Sequence, residues 1–338
     1  MTKALALLSG GLDSILAIKV IQDQGIEVEA ICCASPFFSP DQAKKAAAIL
    51  GVPLRIIDIT EEVLELIKTP KHGHGRFMNP CIDCHALMVK KAREILEETK
   101  ASFIITGEVL GERPKSQNRN ALGIVETESG SKGYLLRPLS AKLLEPTIPE
   151  NEGLVDRERL LEIKGRSRKP QLALAKKYGI KDFPTPAGGC LLTEEKFSLR
   201  LKDLLAEKTN PVLSDLILLR WGRHFRSSEG IKIVVSRQHN ENEELEKLSL
   251  PTDLVFEVAD YPGPKVLVRG NNAGKVTLME AAMLTARYSK ARDLAEVQVS
   301  YHSGDGKKTG SMVARSPLRF LESGKAKISL IDAGEFEK

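Results

Sequence analysis

In the first half of the chain, short runs of aliphatic and β-branched residues alternate with segments whose apolar positions recur every three to four residues. That alternation marks a parallel sheet wrapped by helices. It predicts strands at 3–8, 27–34, 53–58 and 101–106, and helices at 14–24, 40–50 and 82–99. Weaker helical patterns follow at 156–164 and 168–178, and Pro184, Pro186, Gly188 and Gly189 then break regular structure, predicting a mobile loop. Beyond Thr193 the pattern changes to helices at 194–208 and 211–219, strands at 231–236, 253–258, 265–269 and 296–302, and a helix at 275–288. The expected architecture is an α/β domain over 1–192 with helices on both faces of a parallel sheet, a helical linker over 193–214, and a smaller α+β domain over 215–338. No heptads, low-complexity tracts or internal repeats occur, which argues against coiled coils and solenoids.

Composition narrows the function classes. A chain of 338 residues at 42% hydrophobic content can bury two cores. Its 28% charged residues are mixed in sign with a net charge of +5, which permits a nucleic-acid partner without requiring one. The apolar run Ala4–Leu8 is too short for a secretory signal, and no later stretch has the length of a membrane span. Five cysteines, an odd number without an export signal, argue for a reducing compartment, so the cytoplasm is the expected location.

The chemistry begins at Ser9-Gly10-Gly11-Leu12-Asp13-Ser14, between a predicted strand and a predicted helix. Glycines let backbone approach a ligand closely, and N–H groups at a helix start favour an anion. Asp13 is out of place at a bare anion site but fits one where Mg²⁺ bridges it to phosphates. The plainer reading is a strand-turn-helix junction capped by serine. The hexapeptide is similar to the PP-loop of the ATP pyrophosphatase superfamily. That resemblance implies an adenine-nucleotide α-hydrolase-like fold, ATP as cofactor, and cleavage to AMP and diphosphate. Gly270–Lys275 falls one residue short of a Walker A loop and reads as a turn.

Three cysteines form a second constellation. Cys81 and Cys84 lie at the start of the predicted helix 82–99, where thiolates are stabilised, and Cys190 follows Gly188-Gly189 in the breaker-rich loop. Three thiolates suit a [4Fe–4S] cluster with one open iron. A zinc site completed by His72, His74 or His85, and a cluster-free persulfide relay, use the same residues. Cys84-His85 also completes a haem c attachment pattern, which normally accompanies export. Cys32 and Cys33 fall in a predicted buried strand and read as packing.

Further segments extend the resemblance over roughly the first 190 residues. Thr106-Gly-Glu-Val-Leu-Gly-Glu-Arg-Pro-Lys-Ser-Gln-Asn118 and Leu136-Arg-Pro-Leu139 look like elements of the ThiI-family 4-thiouridine synthases, and Asn79–Cys84 with Gly188-Gly-Cys190 resembles the paired cysteines of MnmA 2-thiouridine synthases. The resemblance implies a tRNA uridine sulfurtransferase. Nucleotide binding would fall to Ser9, Gly10, Gly11, Asp13, Ser14 and Gly107, and catalysis to Asp13, Cys81, Cys84 and Cys190, the three cysteines also serving as metal ligands. The partners implied are tRNA and a sulfur donor, either sulfide or a cysteine desulfurase, with no membrane; the oligomeric state is left open, a homodimer included.

The PP-loop lies too near Met1 for the RNA-holding module of ThiI enzymes, so RNA binding is expected from the second half. There, Asp260-Tyr-Pro-Gly263, Glu280-Ala-Ala282, Ala286–Asp293 and Val297–Tyr301 resemble the NFACT RNA-binding domain over about 215–315. Arg287, Tyr288, Lys290 and Arg292 mix cations with a stacking ring, and Arg220, Trp221, Arg223, His224 and Arg226 form a second such cluster. Two alternatives remain open: a PP-loop enzyme acting on a small-molecule acceptor, and an RNA-binding quality-control factor that does not turn nucleotide over.

Overall fold

The computed structural model describes residues 2–184, 189–270, 272–317 and 328–333, and the chain divides into two compact units, Met1–Thr193 and Glu194–Lys338.

The first unit runs β1 (Lys3–Leu7), α1 (Leu12–Gln22), β2 (Glu27–Ala34), α2 (Asp41–Leu50), β3 (Leu54–Asp58), α3 (Thr60–Lys68), α4 (Cys81–Glu94), β4 (Phe103–Ile105), α5 (Arg119–Glu128), β5 (Leu135–Leu136), α6 (Ile148–Asn151) and α7 (Lys169–Lys177). Its five strands pair in parallel in the order β3-β2-β1-β4-β5. Side-chain alternation sends Ala4, Ala6, Val28, Ala30, Phe103 and Ile105 to a core shared with α1 and α2. It sends Leu5, Ile31, Ile104 and Leu135 to a core shared with α4 and α5. Both faces are covered, which is why these strands read as continuous apolar runs. The chain leaves β1 toward β2 and β3 on one side, then returns to place β4 and β5 on the other. The order therefore reverses between β1 and β4, and the crevice beyond their carboxyl ends is where such sheets bind ligands.

The second unit contains α8 (Glu195–Glu207), α9 (Leu213–Leu218), β6 (Arg223–Arg226), β7 (Lys232–Val235), α10 (His239–Lys247), β8 (Leu254–Val258), β9 (Val266–Val268), α11 (Lys275–Arg287), β10 (Glu296–Ser303), β11 (Thr309–Arg315) and β12 (Ser329–Leu330). Its strands form an antiparallel sheet, β11-β10-β8-β9-β7-β6-β12. α11 packs Ala281, Ala282, Leu284 and Ala286 on one face against Ile233, Phe256 and Val266, while Leu218 and Leu245 cover Val234, Val255 and Leu267 on the other.

Several elements differ from the sequence expectation. The helix expected at 156–164 is only the 3-10 turn Arg157–Arg159. The rest is extended, because Leu161, Ile163 and Gly165 give their N–H groups to the carbonyls of Pro138, Leu139 and Leu110. The helix expected at 82–99 ends at Glu94. α3, α5 and α10, and strands β5, β6, β11 and β12, were not expected. Thr185–Gly188 and Asn271 lie outside the described residues, so the mobile-loop expectation at Pro186 and Gly188 falls there; Asn272–Gly274 lead directly into α11. No described helix is long and apolar enough to cross a membrane.

Candidate active site

The turn after β1 is shaped by two glycines that nothing larger can replace. Gly10 has φ +80° and lies where a Cβ would fall under 3.0 Å from the backbone of Gln42. Gly107, just past β4, lies where a Cβ would fall under 3.0 Å from the backbone of Asp13 and Ser14. The carboxyl ends of β1 and β4 thus meet at the switch point of the sheet. Gly11 caps α1 in extended conformation and donates its N–H to Ser9 Oγ at 3.2 Å. Ser14 Oγ donates to the Gly11 carbonyl at 2.8 Å and stands 3.3 Å from Ser9 Oγ.

Asp13 sits in the first turn of α1 with its Oδ1 buried and without a hydrogen-bond partner. Burial pushes its carboxyl above the ordinary value, against the opposing charges of Arg168 and Arg113. A buried carboxylate oxygen left unpaired beside a glycine cradle fits a site completed by a cation and phosphates. Gln171 is fully buried with both amide atoms unpartnered, and Arg168 Nε is unpartnered too. Neither residue was singled out from sequence. The signal available was a Gln in a helix that packs against α1, but a single amide is too common to stand out.

The cysteines come together through Asn79. This buried residue accepts the Cys81 thiol on Oδ1 at 3.0 Å and donates Nδ2 to Cys190 Sγ at 3.6 Å. A residue more than a hundred positions away in sequence is thereby brought to the first turn of α4. Cys84 is buried, and its thiol is pushed well up by burial and by Cys190 and Cys81 beside it. Burial also raises Cys81, partly countered by Arg113 and Lys115. Burial keeps these thiols protonated unless a cation binds their sulfurs, and three clustered sulfur donors are a set that a metal cluster would fit. The positive charge of Arg113 opposes the burial of both the Asp13 carboxyl and the Cys81 thiol.

The three histidines each have another partner. His72 Nδ1 lies 2.8 Å from Asp83 Oδ1, His74 Nε2 donates to the Ile67 carbonyl at 3.0 Å, and His85 Nδ1 lies 2.8 Å from Glu108 Oε1. Among the described residues, His72, Asp83 and Glu128 are the one set of three whose ligand atoms all lie within 4.8 Å of one another; Cys81, Cys84 and Cys190 are spread more widely. Cys32 and Cys33 are buried in β2 as packing, their thiols pushed up to about 11 and about 12 by burial.

Behind the site runs a buried ion-pair network that sequence reading missed. Glu108 accepts from Arg137 Nε at 2.9 Å and Thr106 Oγ1 at 3.1 Å, while Arg137, itself fully buried, also pairs with Glu126 and donates to the Leu122 carbonyl. Burial pushes the Glu108 carboxyl up, but Arg137 and His85 outweigh it and hold the group at about 2. Its signal was an arginine flanked by Leu135, Leu136 and Leu139. Because the folded value lies below the ordinary one, the stabilisation, about 3 kcal/mol, is present above about pH 4.5 and is lost as pH falls toward 2. Acid titration of the fold should therefore be flatter in Glu108→Gln than in the parent. Parallel acid-unfolding curves by circular dichroism would show that Glu108 is not the group responsible. Arg137→Met, which strands the carboxylate, is expected to cost about 3–5 kcal/mol at neutral pH in chemical denaturation.

In the second unit, the ring of Tyr288 lies under the Arg223 guanidinium, 4.9 Å from it, and 6.4 Å from Phe225. His224 is fully buried, Trp221 packs against the core, and Arg226 is paired with Asp203 and Glu207. Lys290 and Arg292 are exposed, and Arg287 is half-buried.

Comparison with known proteins finds two family matches on one chain. Residues 1–142 match the model described as thiamine biosynthesis protein (ThiI), and residues 222–319 match that of the NFACT protein RNA binding domain. The chain is 25% identical over 79% of its length to tRNA-specific 2-thiouridylase MnmA 1 of Syntrophus aciditrophicus, covering 71% of that protein. It is 32% identical over 40% of its length to a probable tRNA sulfurtransferase of Caldanaerobacter subterraneus, covering 36% of it. It is 32% identical over 32% of its length to the Rqc2 homolog RqcH of Bacillus subtilis, covering 18% of it. The chain thus spans well under half the length of the last two. Both resemblances read from the sequence, to ThiI and MnmA proteins and to the NFACT domain, are present.

Proposed function

We propose, from the premise that a ThiI-type segment and an NFACT-type RNA-binding segment share this polypeptide, that the chain is an ATP-dependent tRNA sulfurtransferase. The observation that carries this reading is the convergence, within the first unit, of the glycine-cradled loop Ser9–Ser14 with Cys81, Cys84 and Cys190 gathered around Asn79.

A uridine carbonyl oxygen leaves badly, so it is first bonded to phosphorus. The oxygen attacks the α-phosphorus of ATP, the bond to the β-phosphate breaks, and diphosphate departs. The N–H groups opening α1 and the hydroxyls of Ser9 and Ser14 receive the charge that builds on it. They are fixed before the reaction, so little reorganisation is needed. Asp13 would hold Mg²⁺, which supplies further neutralisation of the phosphates. Sulfur from the cysteine site then attacks the activated carbon, the C–O bond breaks, and AMP leaves.

Cys81, Cys84 and Cys190 would hold a [4Fe–4S] cluster, whose open iron supplies a place for inorganic sulfur. The protein's part is to hold the three sulfurs on one side of the start of α4, with Asn79 fixing two of them. The ThiI match over 1–142 favours 4-thiouridine as product, and the likeness to MnmA 1 is what supports 2-thiouridine instead.

The test is anaerobic incubation of the reconstituted protein with labelled ATP, sulfide and unmodified tRNA, followed by nucleoside mass spectrometry. AMP release that requires tRNA, with 4-thiouridine accumulating in step, is expected. Release driven by a metabolite would transfer the reading to a small-molecule acceptor, and ADP as the sole nucleotide product would end it.

A further inference from the structure

Tyr288, the aromatic residue that the sequence pattern offers for base stacking, is half-buried, with one face covered by Arg223 and its edge against the core. The aromatic ring open to solvent nearby is Tyr261, 45% exposed, in the loop after β8. That loop is braced on two sides. Lys290 donates its backbone N–H to the Pro262 carbonyl at 3.0 Å, and a Cβ on Gly263 would fall 2.8 Å from that of Ser289, so the turn lies tight against the end of α11. From α10, Asn242 Nδ2 donates to the Gly263 carbonyl at 3.4 Å, and its Oδ1 accepts the Lys265 N–H at 2.8 Å. The ring is therefore presented on a fixed backbone, which lowers the entropy lost when a flat ligand settles on it.

The same bracing sets Lys290 beside Tyr261, and Arg292 follows two residues on. Both are exposed, although Arg292 Nε lies 3.7 Å from Asp293. An open aromatic face next to cations, on a unit that matches an RNA-binding model, suits a base on the ring and phosphates on the flanking charges. A paired duplex keeps its base faces closed to a side chain.

We propose that Tyr261 is the base-stacking platform of the second unit, that Lys290 and Arg292 contact the adjoining phosphates, and that the segment bound is unpaired RNA. This deepens the RNA-binding part of the function proposed above and rests on it. Two phosphate contacts make the salt dependence shallow.

The test is fluorescence anisotropy of the full chain with a labelled single-stranded RNA oligonucleotide across a salt series, with an RNA duplex as competitor. Tyr261→Ala should weaken binding about ten-fold or more while keeping the parent's salt slope, and Tyr261→Trp should restore it. Lys290→Gln should reduce the slope by about 0.7, the value for one phosphate on a single strand. The duplex should compete poorly. Parent-like affinity in a folded Tyr261→Ala chain would overturn the stacking role and leave the RNA-binding reading intact; so would a Tyr261→Trp chain no better than alanine. If the parent itself binds no RNA, the RNA-binding reading fails, and the platform with it. A duplex that competes as well as unlabelled single strand would likewise overturn the proposal.

Discussion

Asp13→Asn is expected to lower tRNA-dependent AMP formation by on the order of 10²–10³-fold while leaving the melting temperature unchanged or slightly higher. The reasoning is electrostatic. Asp13 keeps a carboxylate oxygen buried and unpaired, and burial raises its carboxyl above the ordinary range. A carboxylate whose folded value is raised destabilises the fold at pH values above its unfolded one, so the buried Asp13 carboxylate bears a cost at neutral pH that the amide removes. On the function proposed, the amide would also remove the negative charge meant to hold Mg²⁺ against the phosphates. Stability and activity should therefore move in opposite directions, as expected where function needs a strained group. Gly10→Ala attacks the same site by shape, since φ +80° and the Gln42 backbone both exclude a Cβ, and it should eliminate turnover. Radiolabelled nucleotide assays and thermal denaturation of both variants check this. An Asp13→Asn enzyme as active as the parent would remove the metal role from this residue.

The second large effect separates the two halves of the reaction. Cys84→Ser and Cys190→Ser should each bring thiouridine formation below detection, a loss on the order of 10³-fold or more, while tRNA-dependent AMP formation continues. The thiols lie around Asn79 at the start of α4, and the proposed phosphate cradle is built from Gly10, Gly107 and the start of α1; neither set includes the other's backbone. Adenylation without sulfur transfer leaves an activated base that water can hydrolyse, so AMP without thiolated product is the diagnostic outcome. Iron and sulfide analysis of anaerobically purified Cys81→Ser, Cys84→Ser and Cys190→Ser chains should show depletion in all three. Cys32→Ala, in buried packing of β2, should keep its iron. Undiminished iron in every variant would rule out cluster ligation and leave the persulfide relay as the use of these thiols.

The parallel strands were legible because each is buried on both faces, which leaves an uninterrupted apolar run in the sequence. β2 is observed at Glu27–Ala34 and α2 at Asp41–Leu50, close to the expected bounds. Where local pattern failed, the cause is identifiable. Asp156–Lys164 has a helical composition, but the N–H groups of Leu161 and Ile163, and that of Gly165 just beyond, are claimed by carbonyls at Pro138, Leu139 and Leu110, and backbone pairing outweighs propensity there. α10, His-Asn-Glu-Asn-Glu-Glu-Leu-Glu-Lys, has almost no apolar stripe to read: Leu245 alone anchors its hydrophobic face. α5 carries Gly123 in its middle, which weakens any helical signal.

The same division holds for the site. By itself, the sequence determined the glycine turn between β1 and α1 and the two-cysteine start of α4, because both are contiguous and depend on residues a few positions apart. It also determined that the second half carries the NFACT-type segment. Only the tertiary structure decided that Gly107 presses on Ser14, that Cys190 reaches Asn79, that Glu108 is pinned by Arg137, and that Tyr261 stands open while Tyr288 is covered. Those are contacts between residues tens of positions apart or more. Local preferences along a chain set which elements form, whereas burial and pairing between elements set which side chains meet.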